Sequence, residues 1–294
     1  MNLKSCVRSL FMSSLLITGA TGFIGSRLCL RLKDEKHDIF RISSDDGDIS
    51  LKETWSSFPE AQIVIHLAGK TFVPKSWEDP LGFFNVNIDG TYNALEYCRK
   101  HTARLVFASA YLYGVPESLP ISEKTILKPN NPYALSKKMA EDACRFYAEY
   151  YNVKVTILRL FNVYGLGQSE QFLIPSIINQ VKNSQSITVK DLLPRRDYVY
   201  IDDLLEAFIA AVNKPQDFSI LNIASGTSYS PLEIIDLVQD IAGTDFPVIS
   251  EGKTRSHEIM DTRADISLAF EILSWKPHCS MSYGLKELLE ANLY

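Results

Sequence analysis

Five cysteines in 294 residues (Cys6, Cys29, Cys98, Cys144 and Cys279) are too scattered and odd in number for a disulfide framework, and no Cys-x-x-Cys pair is present. They read as reduced thiols of a cytoplasmic protein, and no metal site is expected from them. Positive charge in excess is also missing: thirty Lys and Arg against thirty-five Asp and Glu leave a formal net charge of −5. Such a chain has no global basic field to hold nucleic acid, and an anionic substrate must be gripped by local arginines. No apolar run reaches the ~18 residues of a membrane span, so no membrane partner is expected. Repeats, low-complexity tracts and a flexible interdomain linker are absent too, so any lobes are interleaved. Lys4 and Arg8 followed by Leu10 to Ile17 imitate a secretory leader, but cleavage behind that stretch would remove the first strand. Residues 1–12 are therefore read as an N-terminal extension.

What the sequence does contain begins with Leu15-Leu16-Ile17-Thr18-Gly19-Ala20-Thr21-Gly22-Phe23-Ile24-Gly25. An apolar run without helical period reads as a buried strand, the glycines as a tight turn, and Phe23, Ile24, Leu28, Leu30 and Leu32 as the buried side of a helix. Gly19 permits the turn, Gly22 lets backbone approach a pyrophosphate, Gly25 lets helix pack on strand, and the helix N-terminus offers free N–H groups to the anion. A dinucleotide is the natural ligand.

Asp38 to Ile42 reads as the second strand, at whose end an acid would accept from the ribose 2′-hydroxyl of NAD. Here Ser43 and Ser44 stand first, with Asp45 and Asp46 just beyond and Arg41 just before. Serines and an arginine suit a 2′-phosphate while the aspartates oppose one, so NAD and NADP both remain open. Ile63 to Gly69 is a further buried strand whose small final residues let a cofactor approach. Arg104 to Gly114 forms the next strand with its exit, and its Ser109 hydroxyl can share a proton with a substrate alcohol or ketone. Tyr133 and Lys137 stand four apart and share one helix face. A free tyrosine, with a pKa of about 10, is ionised about one time in a thousand at neutral pH. An ammonium about 4 Å away in a partly desolvated site contributes roughly 4 kcal/mol, or about three pKa units, and so makes the phenol a usable base.

The glycine fingerprint, the Ser109 strand and the Tyr133/Lys137 helix in this order resemble the extended short-chain dehydrogenase/reductases of the NAD(P)-dependent nucleotide-sugar epimerase/dehydratase family. The likeness covers nearly the whole chain from Ser13, and continues in Arg159-Leu160-Phe161-Asn162-Val163-Tyr164-Gly165, Arg196-Asp197-Tyr198-Val199-Tyr200-Ile201-Asp202-Asp203 and Leu273-Ser274-Trp275-Lys276-Pro277. It implies an α/β fold with a Rossmann-type doubly wound parallel sheet and a smaller, interleaved C-terminal substrate-binding lobe. The cofactor domain would take residues 13–165 and about 197–224, and the lobe about 166–196 and 225–294. By the same likeness Ser109, Tyr133 and Lys137 are catalytic, and the cofactor meets Gly19, Thr21, Gly22, Phe23, Ile24, Gly25, Ser43, the Asp48-Ile49 pair, and Leu67-Ala68-Gly69, as well as Tyr133 and Lys137. Ser109, Asn162, Arg196 and Arg255 would bind substrate, Arg196 as a diphosphate clamp, with Arg263 competing for the role of Arg255. His66 is a packing residue in this pattern. The helices at Asn87 and Tyr133 are expected to form a homodimer contact, with Met139, Ala143, Phe146, Tyr147 and Tyr150 as its apolar surface.

The resemblance implies hydride exchange between a sugar carbon and nicotinamide, with Tyr133 moving the hydroxyl proton. Dehydratases of the family carry an acid and base directly after the site hydroxyl, where this chain has Ala110 and Tyr111, which puts dehydration in doubt. Two readings survive: a 4-epimerase that keeps its NAD, and an NADPH-dependent 4-keto-6-deoxysugar reductase. A cofactor-binding regulator without turnover is the reading from a different class, and Tyr133→Phe separates it from both.

Overall fold

Short runs rich in Leu, Ile and Val become strands buried on both faces, because such strands need apolar side chains at odd and even positions alike. The computed structural model describes residues 13–253 and 258–291, so the 1–12 extension and Arg255 lie outside the described residues. The strands are β1 (Ser14–Thr18), β2 (Asp38–Ile42), β3 (Ile63–His66), β4 (Arg104–Ala110), β5 (Val155–Leu160), β6 (Asn162–Tyr164), β7 (Ile187–Val189), β8 (Arg196–Tyr200), β9 (Phe218–Ile223), β10 (Ser228–Tyr229) and β11 (Val248–Ser250). Six of them form one parallel sheet in the order β2-β1-β3-β4-β5-β9. The chain order reverses at β1, so the ligand crevice is expected beyond the carboxyl ends of β1 and β3.

The helices are α1 (Phe23–Asp34), α2 (Lys52–Ser56), α3 (Val73–Glu78), α4 (Pro80–Phe84), α5 (Gly90–His101), α6 (Pro132–Tyr151), α7 (Leu173–Asn183), α8 (Ile201–Asn213), α9 (Pro231–Ala242), α10 (Ser267–Leu273) and α11 (Met281–Glu290). The period of two splits the core cleanly. Leu15, Ile17, Ile63, Ile65, Val106 and Ala108 pack with α1 and α8, while Leu16, Val64, Leu105 and Phe107 pack with α2, α5 and α6. The sheet is thus covered on both faces, the doubly wound arrangement expected from the sequence. One detail differs: Leu30 is 66% exposed and Cys29 is buried in its stead. Gly25, Leu28, Cys29 and Leu32 keep the i, i+3, i+4, i+7 spacing of one helix face, which Leu30 does not.

Outside the main sheet, β10, β8 and β6 form a three-stranded sheet and β7 pairs with β11. Asp197 fixes this region to the main sheet's exit. Its carboxylate accepts from the Ser225 N–H and hydroxyl, both at 2.7 Å, from Gly226 N–H at 2.9 Å and from Ala264 N–H at 3.1 Å. Burial pushes its carboxyl up to about 6, against the pull of those four donors. Trp275 adds a second tie, its indole N–H donating to Asp203 O at 2.8 Å.

Candidate active site

A cleft of about 1370 Å³ opens along the carboxyl ends of β1, β3 and β4 and is closed from the other side by residues such as Thr188, Lys190 and Pro231. That exceeds the roughly 300–1,000 Å³ of a pocket for one drug-sized ligand, so a dinucleotide and a second ligand have room side by side.

Its floor is the loop from β1 to α1. Gly19 has φ +69°, and a Cβ there would lie 2.8 Å from Ala68 N, so only glycine fits the turn against the β3 exit. At Gly25 a Cβ would meet Gly19 O, which explains the close packing of α1 on the turn. Helix α1 has no side-chain cap and no acid in its first turn, leaving its N-terminal N–H groups to an anion. This cradle fits a dinucleotide pyrophosphate. Thr21, Phe23, Ile24, Leu67, Ala68 and Gly69 line the same cleft.

At the end of β2, Ser43 caps a single 3-10 turn (Ser44–Asp46). Asp46 accepts from Ser43 N–H at 2.8 Å and from its hydroxyl at 3.1 Å. Both Asp45 and Asp46 thus sit in the first turn behind the cleft-lining Ser43. Arg41, the cation of that strand, instead interacts with the Cys29 thiol on α1. Asp48 accepts from Ser50 N–H and hydroxyl at 2.9 and 2.8 Å, and the adjacent Ile49 is buried. Both line the cleft.

Helix α6 begins with Asn131, whose side chain accepts from Ala134 N–H, and with Pro132 in its first turn. It carries Tyr133 and Lys137 to the cleft. Lys137 Nζ donates to Ala108 O at 2.9 Å and lies 4.7 Å from the Phe107 ring centroid. Burial lowers Lys137 to about 8, and desolvation alone pushes the Tyr133 phenol upward. The β4 carbonyl thus satisfies one donor of a 97% buried ammonium, which still keeps two other N–H donors. Asn87, also buried, accepts from Lys70 N–H and donates to Lys70 O and Ser136 Oγ, tying the β3 exit to α6.

Ser109 lines the cleft, but its hydroxyl donates to Glu141 Oε1 at 2.5 Å. The sharing of that proton with substrate, expected from the sequence, is therefore corrected: the hydrogen is already committed. Glu141 is the site residue the sequence reading missed. The available signal was its place four residues after Lys137 and eight after Tyr133 on one helix face. His66 is fully buried, stacked on Phe107 and bonded through Nδ1 to Thr18 Oγ1 at 2.8 Å, a packing residue as expected.

Across the cleft, Asn162 donates to Asp197 O at 3.2 Å. Arg196 lines the cleft, yet its guanidinium is taken by Glu258 and by Ile259 O, so the free diphosphate clamp is corrected to an ion pair within this wall. A diphosphate would have to compete with Glu258 for it. Arg263 is exposed and does not line the cleft. Tyr111, which with Ala110 stands where the dehydratase acid and base would be, donates its phenol O–H to Gly114 O at 2.6 Å and packs edge-on against Phe161.

Residues 15–224 match the NAD dependent epimerase/dehydratase family. The chain belongs to this family. Among its relatives are the UDP-glucose 4-epimerase of Lactobacillus helveticus, 30% identical over 89% of this chain and 91% of that one, and the GDP-6-deoxy-D-mannose reductase of Pseudomonas aeruginosa, 28% identical over 94% and 95%. The Thermotoga maritima UDP-glucose 4-epimerase, solved with UDP-glucose, superposes with a TM-score of 0.90 at 26% identity, covering 96% of this chain and all of that one. This epimerase/dehydratase family member is an extended short-chain dehydrogenase/reductase-type enzyme that depends on NAD or NADP; solved neighbours hold NADPH or NAD. No helix among the described residues is long and apolar enough to cross a membrane.

Proposed function

We propose that the chain is a nucleotide-diphosphate-hexose 4-epimerase that keeps NAD bound throughout turnover. The observation that carries this reading is the acidic turn behind Ser43, where Asp46 holds the serine and Asp45 stands beside it. A 2′-phosphate would meet like charge there, whereas a 2′-hydroxyl finds acceptors. Ala110 and Tyr111 support the same reading, since neither supplies a carboxyl group to expel water.

The α1 N-terminus and the Gly19 turn would hold the pyrophosphate, the Ser43 turn the adenosine ribose, and the free N–H donors of Lys137 the nicotinamide ribose. When bound, the nicotinamide supplies the acceptor for a hydride from the sugar carbon. Tyr133 takes the hydroxyl proton as that hydride leaves and returns it when the hydride comes back on the other face of the ketone. Lys137, charged at neutral pH even with its lowered pKa of about 8, stabilises the phenolate as it forms. No carboxylate follows Ser109 along β4, where Ala110 and Tyr111 stand, which supports rotation of the 4-ketose over elimination. Two copies are proposed to associate through α5 and α6.

A second reading, a 4-keto-6-deoxysugar reductase, is favoured by the likeness to the Pseudomonas reductase. The test is to supply purified enzyme with UDP-glucose, UDP-galactose and their GDP and dTDP counterparts, and separately with 4-keto-6-deoxy sugars plus NADPH or NADH. Interconversion of hexoses without net change at the nicotinamide absorbance is expected; stoichiometric loss of NADPH would establish the reductase instead.

A further inference from the structure

Ser109, Arg159 and Asn222 stand in one register row across β4, β5 and β9: Ser109 is paired with Arg159, and Arg159 with Asn222. By the period of two, Ser109 and Arg159 fall on the same face as Leu105, Phe107, Val155 and Ile157, the face that packs against α6. Two polar residues on a buried face require partners. Glu141 of α6 meets both, accepting from Ser109 Oγ at 2.5 Å, from Arg159 Nε at 3.0 Å and from Arg159 Nη2 at 2.6 Å. Arg159 and Glu141 are each only 4% exposed in their side chains. Arg159 Nη1 donates to the Tyr113 phenol at 2.9 Å and to Glu123 O at 3.3 Å, and the phenol donates in turn to Asn222 Oδ1 at 2.6 Å.

A serine hydroxyl has one hydrogen and two lone pairs. With its hydrogen committed to an ionised, arginine-clamped carboxylate, Ser109 can meet the cleft only as an acceptor. We propose that Glu141 is a positioning residue that turns the Ser109 hydroxyl hydrogen away from the cleft, so that Ser109 accepts from a sugar hydroxyl beside the reacting one and leaves the reacting hydroxyl's single hydrogen to Tyr133. The proposal deepens the epimerase reading and rests on it for the identity of the sugar. It assigns the donor to a developing ketone to Tyr133 alone. It also gives a use to the ion pair buried one helical turn beyond Lys137: Arg159 holds the Glu141 carboxylate where it accepts from the serine.

Glu141→Gln reverses the hydroxyl. The amide oxygen turns to Arg159, which has no other use for an NH2 group, and the amide nitrogen donates to Ser109 Oγ, releasing the serine hydrogen into the cleft. The double-mutant cycle is therefore decisive. In otherwise wild-type enzyme Glu141→Gln is expected to lower kcat/KM about tenfold, whereas in the Ser109→Ala background its cost is expected to fall to less than about twofold. An equal loss in both backgrounds would overturn the proposal, because a purely structural role does not pass through Ser109. A second measurement needs neither a substrate nor a folded Glu141→Gln chain. The infrared difference spectrum between wild-type and Ser109→Ala enzyme, grown with glutamate carrying carbon-13 in its side-chain carboxyl, is expected to show a displaced carboxylate band; a flat spectrum overturns the proposal. Inactivity of the wild type toward every nucleotide sugar would defeat the epimerase and reductase readings, and the infrared result would still decide the Glu141 contact.

Discussion

Tyr133 is the side chain on which the proposed chemistry turns, and it is partly enclosed with its phenol pushed upward by desolvation. Removing one hydroxyl by Tyr133→Phe is expected to lower turnover ~10²–10⁴-fold while leaving the NAD dissociation constant little changed, as calorimetry would report. NAD binding without turnover in the wild type, little changed by Tyr133→Phe, would favour the regulator reading. Cofactor choice is a residue-scale property too. Wild-type enzyme is expected to prefer NAD to NADP by at least about tenfold, and Asp46→Asn to narrow that margin, because the turn then holds one negative charge fewer toward a 2′-phosphate. Titrations with both cofactors that give equal affinities would defeat the argument. His66 makes the pH prediction. Burial, with help from the Lys137 charge, holds its imidazole down at about 3, and its Nε2 finds no partner among the described residues. The unfolded chain binds a proton there below about pH 6.5 and the folded chain does not, so its contribution to stability is complete above that pH and is lost as pH falls toward 3. By pH 5 the loss is roughly 2 kcal/mol. Urea unfolding at pH 7.5 and 5 is expected to show a smaller drop for His66→Gln than for wild type by about that amount, and equal drops would refute it.

At the scale of elements, Asp197 ties the entry of β8 to the exit of β9 and to the segment before α10 through four hydrogen bonds to one carboxylate. Asp197→Ala would orphan three backbone N–H groups and is expected to cost roughly 3–5 kcal/mol in denaturant unfolding. A change below about 1 kcal/mol would mean that water replaces the carboxylate. The Arg-Asp-Tyr pattern pointed at this stretch for its arginine, whereas the structural weight falls on the aspartate. That contrast marks what could be read from the chain. Strand β1, the Gly19 turn and α1 were legible because apolar period and glycine geometry are local properties. The face of α6 that carries Tyr133 and Lys137 was legible for the same reason. Glu141 with Ser109, and Glu258 with Arg196, were not, because each pair depends on the register between elements distant in sequence. Leu30 failed at a finer grain: it is apolar but lies off the helix face that Leu28 and Leu32 define.

For the whole molecule, the same helix that turns Tyr133, Lys137 and Glu141 toward the sheet presents a different stripe outward. Leu135, Met139, Phe146 and Tyr150 of α6 are exposed, as is Tyr92 of α5, which packs edge-on against Tyr147. Ala143, counted with this surface from the sequence, is instead buried, and Tyr147 donates to Glu96. A stripe of four large apolar side chains along a 20-residue helix costs free energy in water, and a twofold axis lets one patch cover its own copy. Burying roughly 800 Å² on each chain is enough for a stable contact. Sedimentation equilibrium at micromolar concentration is therefore expected to give twice the 33.2 kDa chain mass. Phe146→Glu, which places a charge where the axis would bring it against its own copy, is expected to give monomer. Because the contact would back the helix that carries the acid/base residue, the monomeric variant is also expected to lose activity in step with dissociation as the enzyme is diluted. A wild-type chain that sediments as monomer, or a Phe146→Glu chain that stays paired, would remove this face from the assembly.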